Sequence, residues 1–342
     1  MTQFYNTLYV IQSNSSLHKD HETVVVKCDG SVTIQVPLHH IISIVCLGSA
    51  IWVSPELMRA CNEAQIAVSF VSEYGKFQGR VEGIKSGNVL LRREQFRKAD
   101  QELVCIDLSK RFIQGKIANS RTQLKRFARE TNNEDIKQSF EKASLRLLNC
   151  LKHLNTSESV DAIRGYEGEA SAVYYSVFGL AIKNPDFVFE GRERRPPKDP
   201  VNALLSFLYT ILNHDCTNAL GAVGLDPQVG FLHVDRPGRP SLACDLMEEF
   251  RSVFVDRLVL KLINLKQIKV KDFETDLSGS LRMKDDLRKL VLTEYQKSKH
   301  EEIIHPLLEQ KVKYGLLPHM QARLLAKAIR GEFKTYPPYL LK

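Results

Sequence analysis

Three short stretches of this 342-residue chain put metal-competent side chains beside residues that shape the backbone. The first is Gly165-Tyr166-Glu167-Gly168-Glu169-Ala170-Ser171-Ala172, opening a helix that runs on through Val173–Leu180. Its small residues Gly168, Ala170, Ser171 and Ala172 would let another helix or a phosphate backbone come close. Glu167 alone reads equally well as a first-turn glutamate favoured by the helix dipole. The second stretch is Gly224-Leu225-Asp226-Pro227-Gln228-Val229-Gly230-Phe231-Leu232-His233, where a helix ends, Asp-Pro turns the chain and His233 follows an apolar run. A loop histidine there is either a ligand or an ordinary hydrogen-bonded side chain. The third is Asp245-Leu246-Met247-Glu248-Glu249-Phe250-Arg251. Residues 245 and 248 lie three apart, so both carboxylates share one helix face. Two like charges packed together need a cation or a donor between them; otherwise they form a solvated acidic stripe.

The elements around these stretches divide the chain in two. The first part is β-rich: Asn6–Gln12, Thr23–Cys28, Ser31–Val36, His40–Cys46, Ile66–Val71 and Phe77–Val81 are short β-branched runs. Asp29-Gly30 is the two-residue signal of a type I′ hairpin. One helix interrupts the strands from Ser54 to Ala64, with Ser54 as N-cap and Pro55 at the first helical position. Beyond Asn88 the period changes to that of helices, over Arg92–Ser109, Lys110–Thr131, Asn133–Leu154, Asp199–Leu220 and Ser241–Leu265. Ser86-Gly87-Asn88 marks the boundary. The expected fold class is therefore α+β, a small N-terminal β-sheet or sandwich domain over residues 1–87 followed by a larger all-α domain over 88–342.

Hydrophobic residues make up 43% and charged residues 26%, as in an ordinary globular protein with a core. No apolar run approaches the roughly 20 residues of a membrane span, and the first residues lack the features of a signal peptide. Seven cysteines without CxxC spacing argue for reduced thiols and a cytoplasmic setting rather than a zinc site or a disulfide framework. The formal charge is +8, yet residues 1–90 hold 6 of the 48 basic and 7 of the 40 acidic side chains, so the whole excess lies later. A one-sided basic excess fits a polyanionic partner.

In combination these motifs resemble the CRISPR-associated spacer-acquisition endonuclease/integrase family, the "Cas-one" proteins. The resemblance rests on Glu167 in Y-E-G, His233 in G-F-L-H and D-L-M-E-E-F-R at 245–251. It also rests on the segment Arg195-Pro196-Pro197-Lys198-Asp199-Pro200-Val201-Asn202-Ala203-Leu204-Leu205-Ser206-Phe207-Leu208-Tyr209, and it covers essentially the whole chain. The motif wording is most similar to the I-C subtype. The resemblance implies an enzyme that inserts short DNA fragments into a repeat array, with Glu167, His233 and Glu248 as catalytic metal ligands. It makes Asp245 a nearby acid or alternate ligand, and sets Asn202, Ser206 and Tyr209 beside the site. It implies double-stranded DNA as substrate, a homodimer built through the β domain, and two such dimers bridged by a dimer of a small partner, "Cas-two". Two carboxylates and an imidazole suit Mn²⁺ well and Mg²⁺ acceptably.

Basic side chains would hold DNA by its phosphates. Arg192, Arg194, Arg195 and Lys198, in the loop before the Asp199 helix, are the first choice; Arg92, Arg93, Arg97 and Lys98, and Lys110, Arg111, Lys125, Arg126 and Arg129, read equally as solvated helix faces. Tyr336-Pro337-Pro338-Tyr339 reads as a docking tail or an ordinary disordered end. Two other functions fit the same residues: a general metal-dependent nuclease with no joining role, and a non-catalytic DNA-binding scaffold.

Overall fold

The computed structural model describes residues 6–48, 50–72, 77–81, 83, 88–193, 196–276 and 279–341. It forms two compact units, one of residues 1–87 with Asp285–Glu301 and one of Asn88–Lys284 with Glu302–Lys342. Ser86 and Gly87, at the expected boundary, lie outside the described residues.

The first unit holds strands β1 (Asn6–Val10), β2 (Ser15–Asp20), β3 (Thr23–Cys28), β4 (Ser31–Pro37), β5 (Ile41–Leu47), β6 (Ile51–Val53), β7 (Ala67–Val71) and β8 (Phe77–Val81), with helix α1 (Pro55–Glu63) between β6 and β7. They make two four-stranded sheets, ordered β1-β5-β7-β8 and β4-β3-β2-β6. Asp29 and Gly30 both take positive φ and join β3 to β4, as the dipeptide predicts. Ser54 Oγ accepts the amide of Leu57 at 3.2 Å and caps α1. β2 and β6 are additional to the strands read from sequence; β2, Ser-Ser-Leu-His-Lys-Asp, has too few β-branched residues to announce itself. Leu17, Val24, Ile44, Leu57, Cys61 and Val68 close a single core. The outer strand β4 keeps Val32 and Ile34 exposed, and Trp52 on the opposite edge strand β6 is 73% exposed.

The second unit is mostly helical: α2 (Val89–Ala99), α3 (Glu102–Glu130), α4 (Glu134–Thr156), α5 (Val160–Phe178), α6 (Pro200–Val223), α7 (Ser241–Met247) and α8 (Arg257–Asn264). Two three-residue strand pairs occur within it, β9 (Phe273–Thr275) with β10 (Leu281–Met283) and β11 (Glu302–Ile304) with β12 (Lys311–Lys313), so the helical part is not purely α. Helix α9 (Asp285–Lys299) groups with the first unit, and α10 (Leu317–Ile329) with the second. The helix read as Arg92–Ser109 breaks at Asp100–Gln101, and α3 then runs unbroken for 29 residues, about 43 Å. α3 packs against α4, α5 and the segment following α7.

Two departures bear on chemistry. The single helix expected over Ser241–Leu265 is four pieces: α7, a tight 3-10 turn at Glu248–Phe250, wide π turns over Arg251–Asp256, then α8. Such irregular turns change the direction in which neighbouring side chains leave the helix. The end of the chain is no loose tail, since Tyr336 and Tyr339 are 0% and 1% exposed. All seven cysteines are free thiols, and among the described residues no helix is long and apolar enough to cross a membrane.

Candidate active site

Glu167 and Glu248 arrive from different elements and meet at Lys116 on α3. Ser159 Oγ accepts the amide of Ala162 at 3.1 Å and starts α5, which places Glu167 two turns in. The 3-10 turn after α7 carries Glu248, only 3% exposed. Lys116 Nζ donates to Glu167 Oε1, which also accepts from Ser171 Oγ at 2.9 Å one turn further along α5. The same ammonium stands 2.7 Å from Glu248 Oε2, and Arg251 Nε stands 2.9 Å from that oxygen. Glu248 Oε2 is thus paired with two cations at once.

The charges keep both acids ionised. Burial raises the carboxyl of Glu248, but Arg251, Lys116 and His233 outweigh it and hold the group far below its ordinary range. Burial likewise opposes ionisation of Glu167, and Lys116 with Ser171 overcomes it to leave the carboxyl below its ordinary value.

His233 is aimed by Asp245. The fully buried Asp245 carboxylate on α7 accepts the amides of Phe231 (2.7 Å), Leu232 (3.1 Å) and His233 (3.0 Å), and its Oδ1 takes a hydrogen bond from His233 Nδ1 at 2.6 Å. Nε2 is then the imidazole nitrogen left for a ligand role. Asp245 is thus a buried clamp on the loop, and the solvated acidic stripe does not occur. The clamp depends on Gly230, where a Cβ would fall 2.8 Å from Ser241 Cβ and 3.0 Å from Asp245 Oδ2.

Asn202, Ser206 and Tyr209 form a supporting wall. Asp199 Oδ1 accepts the amide of Asn202 at 2.8 Å and starts α6. Arg192 is turned inward, donating to Asn202 Oδ1 (2.7 Å) and Ser206 Oγ (3.0 Å). The Tyr209 hydroxyl donates to buried Asp256 and lies 2.6 Å from the Tyr175 hydroxyl. Its ring carries the Arg251 guanidinium 4.5 Å from the centroid, which links the wall to Glu248. Lys198 is exposed and 3.6 Å from Glu193; Arg194 and Arg195 lie outside the described residues.

Sequence reading does not reach Lys116, Arg164 or Asp256, and it gives Arg251 no role of its own. Lys116 has one signal: it lies four residues from both Phe112 and Ser120, on the buried stripe of α3, where a lysine is out of place. Glu249 points elsewhere than Glu248, accepting from Tyr336 Oη (2.7 Å), the amide of Tyr339 (2.6 Å) and Gln321 Nε2 (3.1 Å). Gly115 on α3 permits this, because a Cβ there would meet Glu249 Cγ at 2.9 Å and Pro338 Cβ at 3.2 Å.

The donor set fits a divalent ion in its chemistry: two carboxylates held ionised and an imidazole whose Nδ1 is already committed. Among the described residues, no three His, Cys, Asp or Glu side chains already stand as a cation cage. The Lys116 ammonium takes the position between the two glutamates.

A family model described as "CRISPR associated protein Cas1" matches residues 8–297. The chain is 46% identical over 342 residues to "CRISPR-associated endonuclease Cas1 1" of Chlorobaculum tepidum, covering 99% of each. Among solved structures it superposes on "Casposase bound to integration product" with TM-score 0.85 and 22% identity, over 98% of this chain and 94% of that one. It superposes on a chain of a "Cas6-RT-Cas1--Cas2 complex" with TM-score 0.84 and 22% identity, over 100% of this chain and 37% of that one. At that identity the two structures share the fold.

Proposed function

The chain belongs to the Cas1 family of CRISPR-associated proteins, and from that premise we propose that it is a metal-dependent DNA endonuclease and integrase that inserts short DNA fragments into a repeat array. The observation that carries this reading is the meeting of two ionised carboxylates, Glu248 buried and Glu167 half-buried, at one cation, with the imidazole that Asp245 orients near enough to act on the charge of Glu248. Glu167, His233 and Glu248 would hold Mn²⁺ or Mg²⁺. When bound, the ion would supply Lewis-acid relief of charge on the phosphoryl oxygens and ease deprotonation of a water or 3′-hydroxyl. Asp245 occupies Nδ1 of His233 and so leaves Nε2 for the ion, and Arg251 holds Glu248 against the Tyr209 wall. Joining is a transesterification: a 3′-hydroxyl oxygen bonds to phosphorus, a 3′ oxygen of the target strand leaves with the proton, and no ATP is needed. Beside Glu167, Gly165 and Gly168 face open space, which leaves room for a DNA backbone. Arg194, Arg195 and Lys198 are candidates to hold its phosphates.

The assembly belongs to the same reading. The relative of this fold solved as a Cas1–Cas2 complex supports a small Cas2 partner, and the exposed apolar strand β4 with Trp52 supports a homodimer through the first unit. A second reading, a non-catalytic DNA-binding scaffold, is favoured by Lys116, which already pairs with both glutamates.

The test uses the purified chain with its Cas2 partner, Mn²⁺ or Mg²⁺, a short duplex with free 3′-hydroxyls and a supercoiled repeat-bearing plasmid. Joined products are expected, and Glu167→Ala, His233→Ala and Glu248→Ala each abolish them. Joining by any of the three at the wild-type rate overturns the site. Degradation of DNA that has no repeat, without joining, would instead mark a general nuclease.

A further inference from the structure

We propose that Lys116 is a resident counter-ion that the divalent metal replaces, so that loading the site is an exchange of ammonium for metal. This rests on the metal reading above. The position between Glu167 Oε1 and Glu248 Oε2 is where a cation shared by the two carboxylates must sit, and Lys116 Nζ holds it. Only on the Glu248 side does a second cation share the hold. Lys116 donates to Glu167 Oε1 and stands 2.7 Å from Glu248 Oε2, an oxygen it shares with Arg251 Nε at 2.9 Å. Arg251 stays beside Glu248 when Lys116 departs, so that acid keeps one positive neighbour throughout.

The departing ammonium also has somewhere to go. A small cavity lies against Lys116, lined by Ser120, Ser171, Tyr174, Arg251 and Asp256. It has room for about one water-sized group, which is the size of an ammonium head. Asp256 there is buried, accepts from Tyr209 through Oδ1, and has the Tyr174 hydroxyl as a further polar neighbour. A flexible four-carbon stem lets Lys116 turn from one carboxylate set to the other without moving α3. The apo site then avoids two bare carboxylates side by side, and the loaded site avoids a bare buried ammonium.

The experiment is a calorimetric Mn²⁺ titration of the full chain, with thermal unfolding in Mn²⁺ and in chelator. Lys116→Met is expected to bind Mn²⁺ at least ten-fold tighter than wild type, to melt lower in chelator, and to gain more from Mn²⁺. Lys116→Gln gives the same reading if the methionine variant does not fold. Lys116→Arg, which keeps a cation, is expected to bind no tighter than wild type. Asp256→Asn is expected to weaken Mn²⁺ binding in the wild-type background and to leave it unchanged beside Lys116→Met. Equal affinity in wild type and the uncharged variants, or equal gains from Arg and Met, overturns the exchange. Glu248→Gln separates this from the underlying reading: unchanged Mn²⁺ binding in that variant sinks the metal site itself, whereas lost binding there with no effect at Lys116 sinks only the exchange.

Discussion

Arg164, three residues before Glu167 on α5, donates through Nε at 2.9 Å to the carbonyl of Leu232, the residue preceding His233. One side chain therefore ties the helix of one candidate ligand to the loop of another. Arg164→Ala is expected to weaken Mn²⁺ binding about ten-fold, as losses in the shell around a metal site do. It should lower stability by less than about 1.5 kcal/mol, because the guanidinium is partly exposed. Calorimetry and urea unfolding read both, and a stability loss without an affinity loss would make the tie merely structural.

Asp245 has more to lose. Asp245→Ala leaves the amides of Phe231, Leu232 and His233 without their acceptor, at roughly 1–3 kcal/mol for each that stays buried. Asp245→Asn keeps an acceptor and should retain part of the stability. Both should lower metal affinity, by about 10- to 100-fold for the alanine. Wild-type metal binding in a folded Asp245→Ala protein would show that His233 needs no orientation.

Two helical glycines should respond to alanine with opposite sign. At Gly115 the new methyl meets the buried Glu249 and Pro338, and overpacking of about 1–3 kcal/mol exceeds the helix-propensity gain of about 1 kcal/mol. At Gly168 no atom lies within 4 Å of the added carbon, so Gly168→Ala should stabilise by about 0.5–1 kcal/mol. Urea midpoints that move in the same direction would contradict this packing account.

Glu249 should make stability depend on pH. Burial pushes its carboxyl up to about 8 from an ordinary 4.5, despite the hydrogen bonds it accepts from Tyr339, Tyr336 and Gln321. Between those values the folded chain keeps a proton that the unfolded chain has released. Its contribution is whole below about pH 4.5 and is lost as pH rises through about 8, at no more than about 1.4 kcal/mol per unit. Glu249→Gln imitates the protonated form, so its stability profile over that window should be flatter than wild type. Parallel profiles would rule out Glu249 as the source.

What sequence makes legible here follows from what each signal encodes. The β-to-helix change of period, the Asp29-Gly30 hairpin and the Ser54 cap are local, and the fold keeps them. Glu167, His233 and Glu248 stand out jointly, since each alone passes as a surface group. Lys116 is hidden because lysine reads as solvated, although its place on the α3 stripe marks it as buried. The tight and wide turns over 248–256 leave no trace in apolar spacing, which describes a regular helix equally well. Tyr-Pro-Pro-Tyr carries no clue that both rings are buried, because their partners Glu249 and Asn119 are more than 85 residues away.

That buried segment also sets an order of events. Asn119 accepts the amide of Leu341 at 2.7 Å and donates to the carbonyl of Tyr339 at 2.9 Å, so the packing behind Glu248 is finished by residues that leave the ribosome after everything they hold. A chain that already carries Glu167, His233 and Glu248 still lacks the wedge that holds Glu249 next to the last of them. The turn that carries Glu248 is in this way fully braced only by the last strand of contacts to be made.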